Sequence, residues 1–303
     1  MTWIRLFLDE FLGEHGTKWN DGHRRWVKIL IKRLSAISNN FLFDKSSPQK
    51  QHSKDKYDFQ SELSSKERDR IQQTLKLIPK KTDIFLDVGC YDGRLTNFLT
   101  NYGTAVGIDI LIDPLRYVKT NGVLSSVASM PFVENVFDCL ICTEVFEHLT
   151  NIQFEKALEE ILRLFPKWIL VSVPLDEHLD ERILFCKHCN RPFHLWGHRR
   201  VFHEDQLEKL FLDYEIVSSI KLGKIQHGFR RLNSYLIRNK QSTKASHNSC
   251  PHCGSHLAVK RGLIAKILSR INVGVRVIKM LLRKNAFDWI LILYKKRMIN
   301  KFL

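Results

Sequence analysis

Apolar bursts alternate with amphipathic stretches along the chain from about residue 62 onward. This alternation is typical of βα units, which pack into a largely parallel sheet. It predicts strands at residues 84–88, 105–108, 122–127, 137–142 and 168–173, followed by closing strands at 214–220 and 232–238. We therefore expect an α/β protein with a doubly wound, mostly parallel seven-stranded sheet.

Two helices in this pattern begin at capping boxes, in which a hydroxyl residue is followed three positions later by Glu or Gln. Ser64 with Glu67 predicts one helix, and Thr150 with Gln153 predicts another. A further helix is expected at residues 204–211. These helices lie before, between and after the predicted strands, as a doubly wound sheet requires.

A glycine-containing turn follows the first predicted strand, and Asp109 ends the second. Glycine lets the backbone approach a ligand closely, the next helix offers its N-terminal amides, and a carboxylate can bind both ribose hydroxyls. The pattern therefore predicts a nucleoside site. A dinucleotide fingerprint that begins at Gly89 would need glycine where the chain has Tyr91 and Arg94, so NAD is disfavoured.

Two sequence motifs carry a family resemblance. The segment LDVGCYDGRLT at residues 86–96 resembles the LDVGCGxGxLT motif of class I S-adenosylmethionine-dependent methyltransferases. The stretches MPF at 130–132, FD at 137–138 and TEVFEHL at 143–149 are similar to a second motif of that family. The resemblance covers roughly residues 60–240 and implies a Rossmann-like methyltransferase fold that uses S-adenosylmethionine.

The resemblance also implies roles for individual residues. It places Asp87 and Gly89 at the methionine end of the cofactor, Asp109 at the ribose and Met130 at the adenine edge, although core packing is an equal alternative for Met130. The full implied cofactor set is Asp87, Gly89, Tyr91, Gly93, Asp109, Met130 and Glu144.

The sequence departs from the family pattern in two places. Tyr91 stands where the family usually has its middle glycine, so either the loop bends without glycine or the pocket is remodelled around a phenol. The family often has an acidic residue shortly before the Pro-Phe pair to contact adenine, whereas this chain has serines and an alanine at 125–129. Cofactor binding is still the expected property of this domain.

Four of the seven cysteines form two C-x-x-C pairs in polar, turn-rich sequence, namely Cys186, Cys189, Cys250 and Cys253. Asn190 and Gly254 follow the pairs and tolerate the positive φ that a zinc knuckle needs. We expect one structural Zn²⁺ bound by the four thiolates. The alternatives are a local site of Cys186, Cys189, His194 and His198, or no metal at all.

The acceptor side is expected near the segment FHLWGHRRVF at residues 193–202. In related methyltransferases the segment after the fifth strand approaches the acceptor, and similar stretches occur in a bacterial subgroup with the same cysteine pair. A hydroxyl acceptor needs a base, and histidine suits that role at neutral pH. His198 is the first candidate and His194 the second; alternatively both histidines brace the zinc loop.

Charge divides the 303-residue chain unevenly. The net charge is +16, but residues 57–261 carry 27 basic and 25 acidic side chains, so that part of the chain is almost neutral. Residues 1–56 carry 11 basic and 6 acidic side chains, and 262–303 carry 10 and 1. The basic excess therefore belongs to the two ends, and the central domain does not have the composition of a nucleic-acid platform.

These observations predict five segments: a basic helical extension at 1–56, a methyltransferase core at 57–240, a zinc and acceptor insertion at 175–203 within that core, a second zinc knuckle at 241–261, and basic amphipathic helices at 262–303. The terminal helices are expected either to contact an anionic membrane surface or to pack on the core.

The functional expectation is methyl transfer to a small-molecule, lipid-linked or glycan acceptor, at a hydroxyl group. The alternatives are RNA methylation, for which the basic ends would bind phosphate, and a non-catalytic scaffold that binds the cofactor. No secretory signal is recognisable, and the apolar stretch at 286–294 is too short to cross a bilayer. A cytoplasmic protein is therefore expected, peripheral to the inner face of the membrane if the ends bind lipid.

Overall fold

The computed structural model describes residues 63–186, 188–223, 250–255 and 287–297. Its main sheet has seven strands in the order β3-β2-β1-β4-β5-β9-β8. The strands are β1 (Ile84–Val88), β2 (Thr104–Asp109), β3 (Asn121–Leu124), β4 (Cys139–Thr143), β5 (Trp168–Pro174), β8 (Tyr214–Leu222) and β9 (Trp289–Lys296). β1 to β5 are parallel and β9 is antiparallel to both neighbours. The predicted doubly wound, mostly parallel sheet is confirmed.

Within the described ranges, five helices and two 3₁₀ turns accompany these strands. The helices are α1 (Ser65–Lys76), α2 (Arg94–Leu99), α3 (Ile112–Leu115), α4 (Asn151–Leu164) and α5 (Glu204–Glu208), and the 3₁₀ turns are Phe146–His148 and Leu179–Arg182. Both predicted capping boxes are present, at Ser64 before α1 and at Thr150 before α4. In each, the hydroxyl and the Glu or Gln side chain satisfy amides that the first helical turn leaves unpaired.

The C-terminal strand corrects two predictions. β9 lies between β5 and β8 and carries five consecutive buried side chains, from Ile290 to Tyr294. A strand inside a sheet is covered on both faces, so it needs a continuous apolar run and not a helical stripe. The core therefore does not end at residue 240, and residues 289–296 are not part of a C-terminal helix. The strand predicted at 232–238, the extension at 1–56 and the segment 262–286 lie outside the described residues.

The core has a layer on each face of the sheet. Successive strand residues point to opposite faces, so Leu86 and Val88 of β1 pack in one cluster while Phe85 packs in the other. α4 covers the first face through residues such as Ile161, and α1 and α2 cover the second. In the ranges described, no helix has both the length and the apolar character needed to cross a membrane.

A small ribbon stands apart from the main sheet. β6 (Ile183–Phe185) and β7 (Pro192–His194) form an antiparallel pair within the predicted insertion at 175–203. The ribbon has an apolar cluster of its own, which includes Leu184, Phe193 and Cys250. A segment far along the chain, 250–255, therefore packs against this insertion.

Candidate active site

The turn after β1 requires glycine at two positions. Gly89 has φ +71°, and a Cβ added there would lie 2.3 Å from Cγ2 of Val145. Gly93 has φ +74° and is the N-cap of α2. An L side chain rarely adopts this left-handed conformation. The turn therefore brings bare backbone to the carboxyl end of β1, where a ligand can approach it closely.

Tyr91 adopts the conformation that the family's glycine would supply. Its φ is +51°, so the loop bends without glycine. Its amide donates to Oδ2 of Asp109 at 2.9 Å, and the Leu111 amide donates to Oδ1 at 2.8 Å. Each oxygen retains further acceptor capacity. Asp109 is thus fixed at the end of β2 with lone pairs left for a hydroxylated ligand, while burial raises its pKa above the ordinary value.

The strained tyrosine gives a first prediction. Tyr91→Gly should change the free energy of unfolding by no more than about 1 kcal/mol, because relief of the left-handed strain offsets the larger entropy loss of glycine. Tyr91→Ile should destabilise the protein by about 1–2 kcal/mol more than glycine does, since a β-branched residue fits this region worst. Urea denaturation of both variants measures the difference, and equal stabilities would contradict it.

Asp87 is buried at the end of β1, and its Oδ2 accepts a hydrogen bond from Oγ1 of Thr96 at 2.6 Å. Burial raises the pKa of this carboxyl to about 7, with a further contribution from the negative charge of Asp109. A buried carboxylate of this kind gains most from a cationic ligand group nearby. Asp87 thus lies beside the turn, and its role at the methionine end of the cofactor stays a prediction.

Met130 is held in the core. Its side chain is 5% exposed within the larger apolar cluster. Its amide donates to Oε2 of Glu160 at 2.7 Å, and Arg163 donates to its carbonyl oxygen at 3.0 Å. The side chain therefore packs in the core, as one of the two interpretations of the sequence expects, and contact with the adenine edge stays a prediction.

Glu144 lies just after β4 in a buried polar network. Its Oε2 forms an ion pair with Nη1 of Arg70 and accepts a hydrogen bond from Nε1 of Trp289, both at 2.8 Å. Ser172 donates to its Oε1 at 3.3 Å. Burial raises the pKa of Glu144, and the positive charge of Arg70 opposes that rise. The carboxylate thus connects the end of β4 to α1 and β9, contacts that the sequence did not reveal because the partners come from distant segments.

Removing the arginine of this network tests its contribution to stability. Arg70→Met should lower the free energy of unfolding by about 1–3 kcal/mol, because a mostly buried carboxylate loses its counter-charge. In the Arg70→Met/Glu144→Gln double variant much of this loss should be recovered, since no charge is then left unpaired. A double-mutant cycle by urea denaturation measures the coupling, and strictly additive effects would contradict it.

The two candidate histidines have different environments. Nδ1 of His194 accepts the His198 amide at 3.0 Å, so the proton of the neutral ring is on Nε2. Burial lowers the pKa of His194 to about 4, which keeps the ring neutral. Nδ1 of His198 forms a hydrogen bond with Oε2 of Glu177. His194 therefore braces the turn after β7, and His198 belongs to a carboxylate–imidazole pair.

The pKa of Glu177 reflects the opposing effects of burial and of His198. Burial alone would raise it, but the hydrogen bond and the charge of His198 lower it below the ordinary value. Arg182 adds a contact of 3.4 Å to Oε1 of Glu177. Glu177 follows β5 closely in the chain, so the pair lies near the carboxyl end of that strand. The sequence had not identified this acid.

Glu147 is a second acid whose role the sequence did not reveal, although it is part of the TEVFEHL motif. Its side chain is fully buried in the 3₁₀ turn after β4, and neither carboxylate oxygen has a hydrogen-bond partner among the residues that the structure describes. Burial raises its pKa well above the ordinary value, and the charge of Glu144 adds to the rise. Its carboxylate lies within 4.8 Å of ring nitrogens of His148 and His198.

The four predicted cysteines converge. Their Sγ atoms all lie within 4.8 Å of one another, with 3.6 Å between Cys186 and Cys253 and 3.7 Å between Cys189 and Cys250. Asn190 and Gly254 have the positive φ predicted for the knuckles. The structure therefore favours the four-cysteine set over the local alternative, because the four sulfur atoms form one cluster, whereas His194 and His198 cluster with Glu177.

The Methyltransferase domain family matches residues 59–216, about half of the chain. The chain therefore belongs to this family. Among curated proteins, an uncharacterized protein of Methanocaldococcus jannaschii is 31% identical over 121 residues, which are 38% of this chain and 52% of that protein. The match thus spans about half the length of this archaeal relative.

The solved structures that this chain resembles are more distant in sequence. A SAM-dependent methyltransferase from Archaeoglobus fulgidus is 16% identical, with 76% of this chain and 92% of that chain covered and a TM-score of 0.46. The N-methyltransferase NodS from Bradyrhizobium japonicum, in complex with S-adenosyl-L-homocysteine, is 17% identical, with 66% and 91% covered and a TM-score of 0.42. The family assignment depends on the domain match and not on these superpositions.

Proposed function

We propose that this protein is an S-adenosylmethionine-dependent methyltransferase that methylates a hydroxyl group of a small-molecule, lipid-linked or glycan acceptor. The observation that carries the proposal is the turn at Gly89 and Gly93 with Asp87 and Asp109 beside it. These residues lie at the carboxyl ends of β1 and β2, next to the point where the strand order reverses. Open α/β sheets bind their ligands at this point.

The residues of the turn fit the parts of the cofactor. Asp109 would accept hydrogen bonds from the ribose hydroxyls, the bare backbone at Gly89 would lie against the cofactor, and Asp87 would face the cationic methionine amine. Bound there, the cofactor supplies a methyl group on a positively charged sulfur, which an acceptor oxygen can displace in line. The protein then has to align the acceptor and accept its proton.

On the acceptor side we propose His198 in preference to His194. His198 is held by Glu177, whereas His194 uses Nδ1 to accept a backbone amide. With a hydroxyl acceptor, the imidazole of His198 would accept the hydroxyl proton as the methyl group passes from sulfur to oxygen and the electrons of the carbon–sulfur bond stay on sulfur. Glu177 stabilises the imidazolium that results.

We also propose that Cys186, Cys189, Cys250 and Cys253 bind one structural Zn²⁺. Zinc–sulfur bonds of about 2.3 Å in a tetrahedral site separate the sulfur atoms by about 3.8 Å. The sulfur pairs at 3.6 Å and 3.7 Å are close to that separation. Four thiolates leave no open coordination position, so this ion would join residues 250–255 to the β6–β7 ribbon without taking part in the reaction. The proposal that the protein belongs to the zinc-knuckle subgroup depends on the same four cysteines.

Methyl transfer to fractionated cell extract tests the proposed function. With radiolabelled S-adenosylmethionine, we expect label in the lipid or glycan fraction or on a small molecule. At subsaturating cofactor the Asp109→Ala variant should be roughly tenfold slower, because two hydrogen bonds to the ribose are lost. Asp113→Asn, an exposed acid paired with Arg116, is the matched control. Label in RNA would support the RNA alternative, and tight cofactor binding without transfer would support a scaffold.

For the basic C-terminal segment we propose contact with an anionic membrane surface. The support is its composition, since each basic residue near such a surface contributes about 1 kcal/mol. A variant with Lys266, Arg270, Arg276, Lys279 and Arg283 changed to glutamine keeps β9 and should cosediment much less with phosphatidylserine vesicles. Unchanged cosedimentation would contradict the proposal.

A further inference from the structure

Three residues with metal-ligating side chains meet beside the proposed acceptor position. They are Glu147, His148 and His198, and one ligand atom from each lies within 4.8 Å of the others. Glu147 and His148 belong to the 3₁₀ turn after β4, and His198 follows β7. Val145, two residues before Glu147, packs against Gly89 of the cofactor turn. The cluster therefore adjoins the proposed cofactor site.

The carboxylate of Glu147 lacks the partners that a buried charge needs. The side chain is fully buried, and both oxygens are without a hydrogen-bond partner in the part of the chain that the structure describes. Buried carboxylates are otherwise paired with a cation, hydrogen-bonded or bound to a metal, because an unpaired one loses its hydration without compensation. A cation between this carboxylate and the two imidazoles would supply the missing partner.

His198 has the arrangement of a metal-bound histidine. Its Nδ1 forms a hydrogen bond with Glu177, so Nε2 is the nitrogen left for a ligand. Histidines that bind metals almost always donate their other ring N–H to a carboxylate or carbonyl in this way. The ring of His148 meets that of His198 edge to face, with 4.9 Å between centroids. His148 is exposed, so the cluster has one side near solvent.

A neighbouring cluster of Glu177, His194 and His198 also has ligand atoms within 4.8 Å of one another, but its carboxylate is already complemented. Glu177 accepts from His198 and contacts Arg182. Nε2 of His194 carries the proton, lies 3.9 Å from Oε1 of Glu177 and has no hydrogen-bond partner among the described residues. Of the two clusters, as far as the structure describes them, the one around Glu147 therefore has the carboxylate without a hydrogen-bond partner.

We propose that Glu147, His148 and His198 bind one divalent first-row transition-metal ion, in addition to the thiolate-bound zinc. Two imidazoles and one carboxylate are a ligand set that such ions use, with coordination positions left open. The location at the acceptor rests on the proposed function, whereas metal binding itself does not.

A bound ion of this kind would define the acceptor class. Two open positions fit an acceptor with oxygens on adjacent atoms, such as a vicinal diol, a catechol or a hydroxyl beside a carbonyl. A hydroxyl bound to the ion loses its proton to water more readily, because the ion stabilises the oxyanion. With the ion bound, His198 would act as a ligand, and this role would replace the role of base proposed above, since water would then take the hydroxyl proton.

Cobalt titration of the full-length, zinc-loaded protein tests the site. We expect one equivalent of Co²⁺ to bind beyond the zinc, with visible absorption typical of nitrogen and oxygen ligands and without thiolate charge transfer. Glu147→Gln and His148→Ala should abolish this equivalent. Glu177→Gln should weaken Co²⁺ binding about 10–100-fold, because the supporting carboxylate of His198 is lost. His203→Ala is the control, since this exposed histidine pairs with Asp176 and is not a member of the cluster.

Binding of S-adenosyl-L-homocysteine to each variant shows that the fold and cofactor site are intact. If wild-type protein binds that product but no second metal, or if Glu147→Gln and His148→Ala both bind Co²⁺ as wild type does, the metal site is overturned while the methyltransferase proposal stands. If wild-type protein binds Co²⁺ in the expected way but not the product, the proposed function fails and the metal site stands.

Discussion

A Cys250→Ser variant is expected to lose its equivalent of zinc and to lose the order of the β6–β7 ribbon. Zinc bound to a four-ligand site contributes roughly 10–16 kcal/mol of apparent binding free energy, which is as large as the whole stability of a domain. The ribbon has little else to hold it, because its apolar cluster contains five buried residues, of which two are cysteines of the site.

Zinc content by mass spectrometry of the native protein measures the first effect. Hydrogen exchange in residues 183–195 measures the second, and protection there should fall by at least a hundredfold while β1 and β4 change far less. Addition of a chelator to wild-type protein should produce the same pattern. A wild-type protein purified without chelators that contains no zinc would contradict the prediction.

Cys139→Ala is the matched control for this variant. Cys139 is also a buried thiol, but it lies on β4 within the main sheet and far from the ribbon in the fold. Its replacement removes one buried sulfur and should cost about 1–2 kcal/mol of stability with full retention of zinc. A loss of zinc in this control would show that the metal content follows global stability and not the four-cysteine site.

The features that could be predicted from the sequence are those that neighbouring residues determine. The turn at residues 89–93, the acid at the end of β2 and the capping boxes are each contained in a few consecutive residues, and the structure has all of them. The convergence of the cysteine pairs was predictable for a different reason. One C-x-x-C pair supplies only two of the four ligands that a tetrahedral zinc site needs, so two such pairs are expected to meet at one ion.

The features that were missed depend on tertiary context. β9 was not predicted because its apolar run is short and lies in a strongly basic segment. The run is explained by the insertion of β9 between β5 and β8. Arg70 and Trp289 reach Glu144 from opposite ends of the described chain, with no local signal for either contact. Glu147 lies within the TEVFEHL motif, but a buried carboxylate without a hydrogen-bond partner is recognisable only once its surroundings are known.

The affinity of the protein for its cofactor is expected to depend on pH through Asp87. In the free protein the pKa of Asp87 is about 7, because burial disfavours the charged form. The bound methionine ammonium would favour the carboxylate and lower that pKa, so binding below about pH 7 releases a proton. The dissociation constant of S-adenosyl-L-homocysteine should therefore fall up to tenfold for each pH unit gained on approach to pH 7, and then level off.

The same shift has a defined effect on the stability of the free protein. The unfolded chain loses the Asp87 proton near the ordinary value of 3.8, whereas the folded chain keeps it to about 7. Between these values the folded state binds more protons, so Asp87 lowers the free energy of unfolding as pH rises. Asp87→Asn should remove this contribution, and urea denaturation of the free protein at several pH values between about 4 and 7 measures it.

Asp87→Asn should weaken binding of the product about 10–100-fold near pH 8, because a charged hydrogen bond to the ammonium is lost. Its dissociation constant should vary little below pH 7, since the group that takes up the proton is gone. Asp138→Asn is the matched control, because that buried acid binds the start of β1 at the opposite end of the sheet. It should keep the pH dependence of wild type.

Titration calorimetry in buffers of different ionisation enthalpy measures the released proton directly. A cofactor amine that lost its own proton on binding would also release one, but that release would extend up to its ordinary pKa of about 8 and would persist in Asp87→Asn. Release that is present below pH 7, half-maximal near pH 7 and absent in Asp87→Asn assigns the proton to the carboxyl. Equal release in the two proteins would show instead that Asp87 is already ionised before the cofactor arrives, and its place at the methionine end would then have to be abandoned.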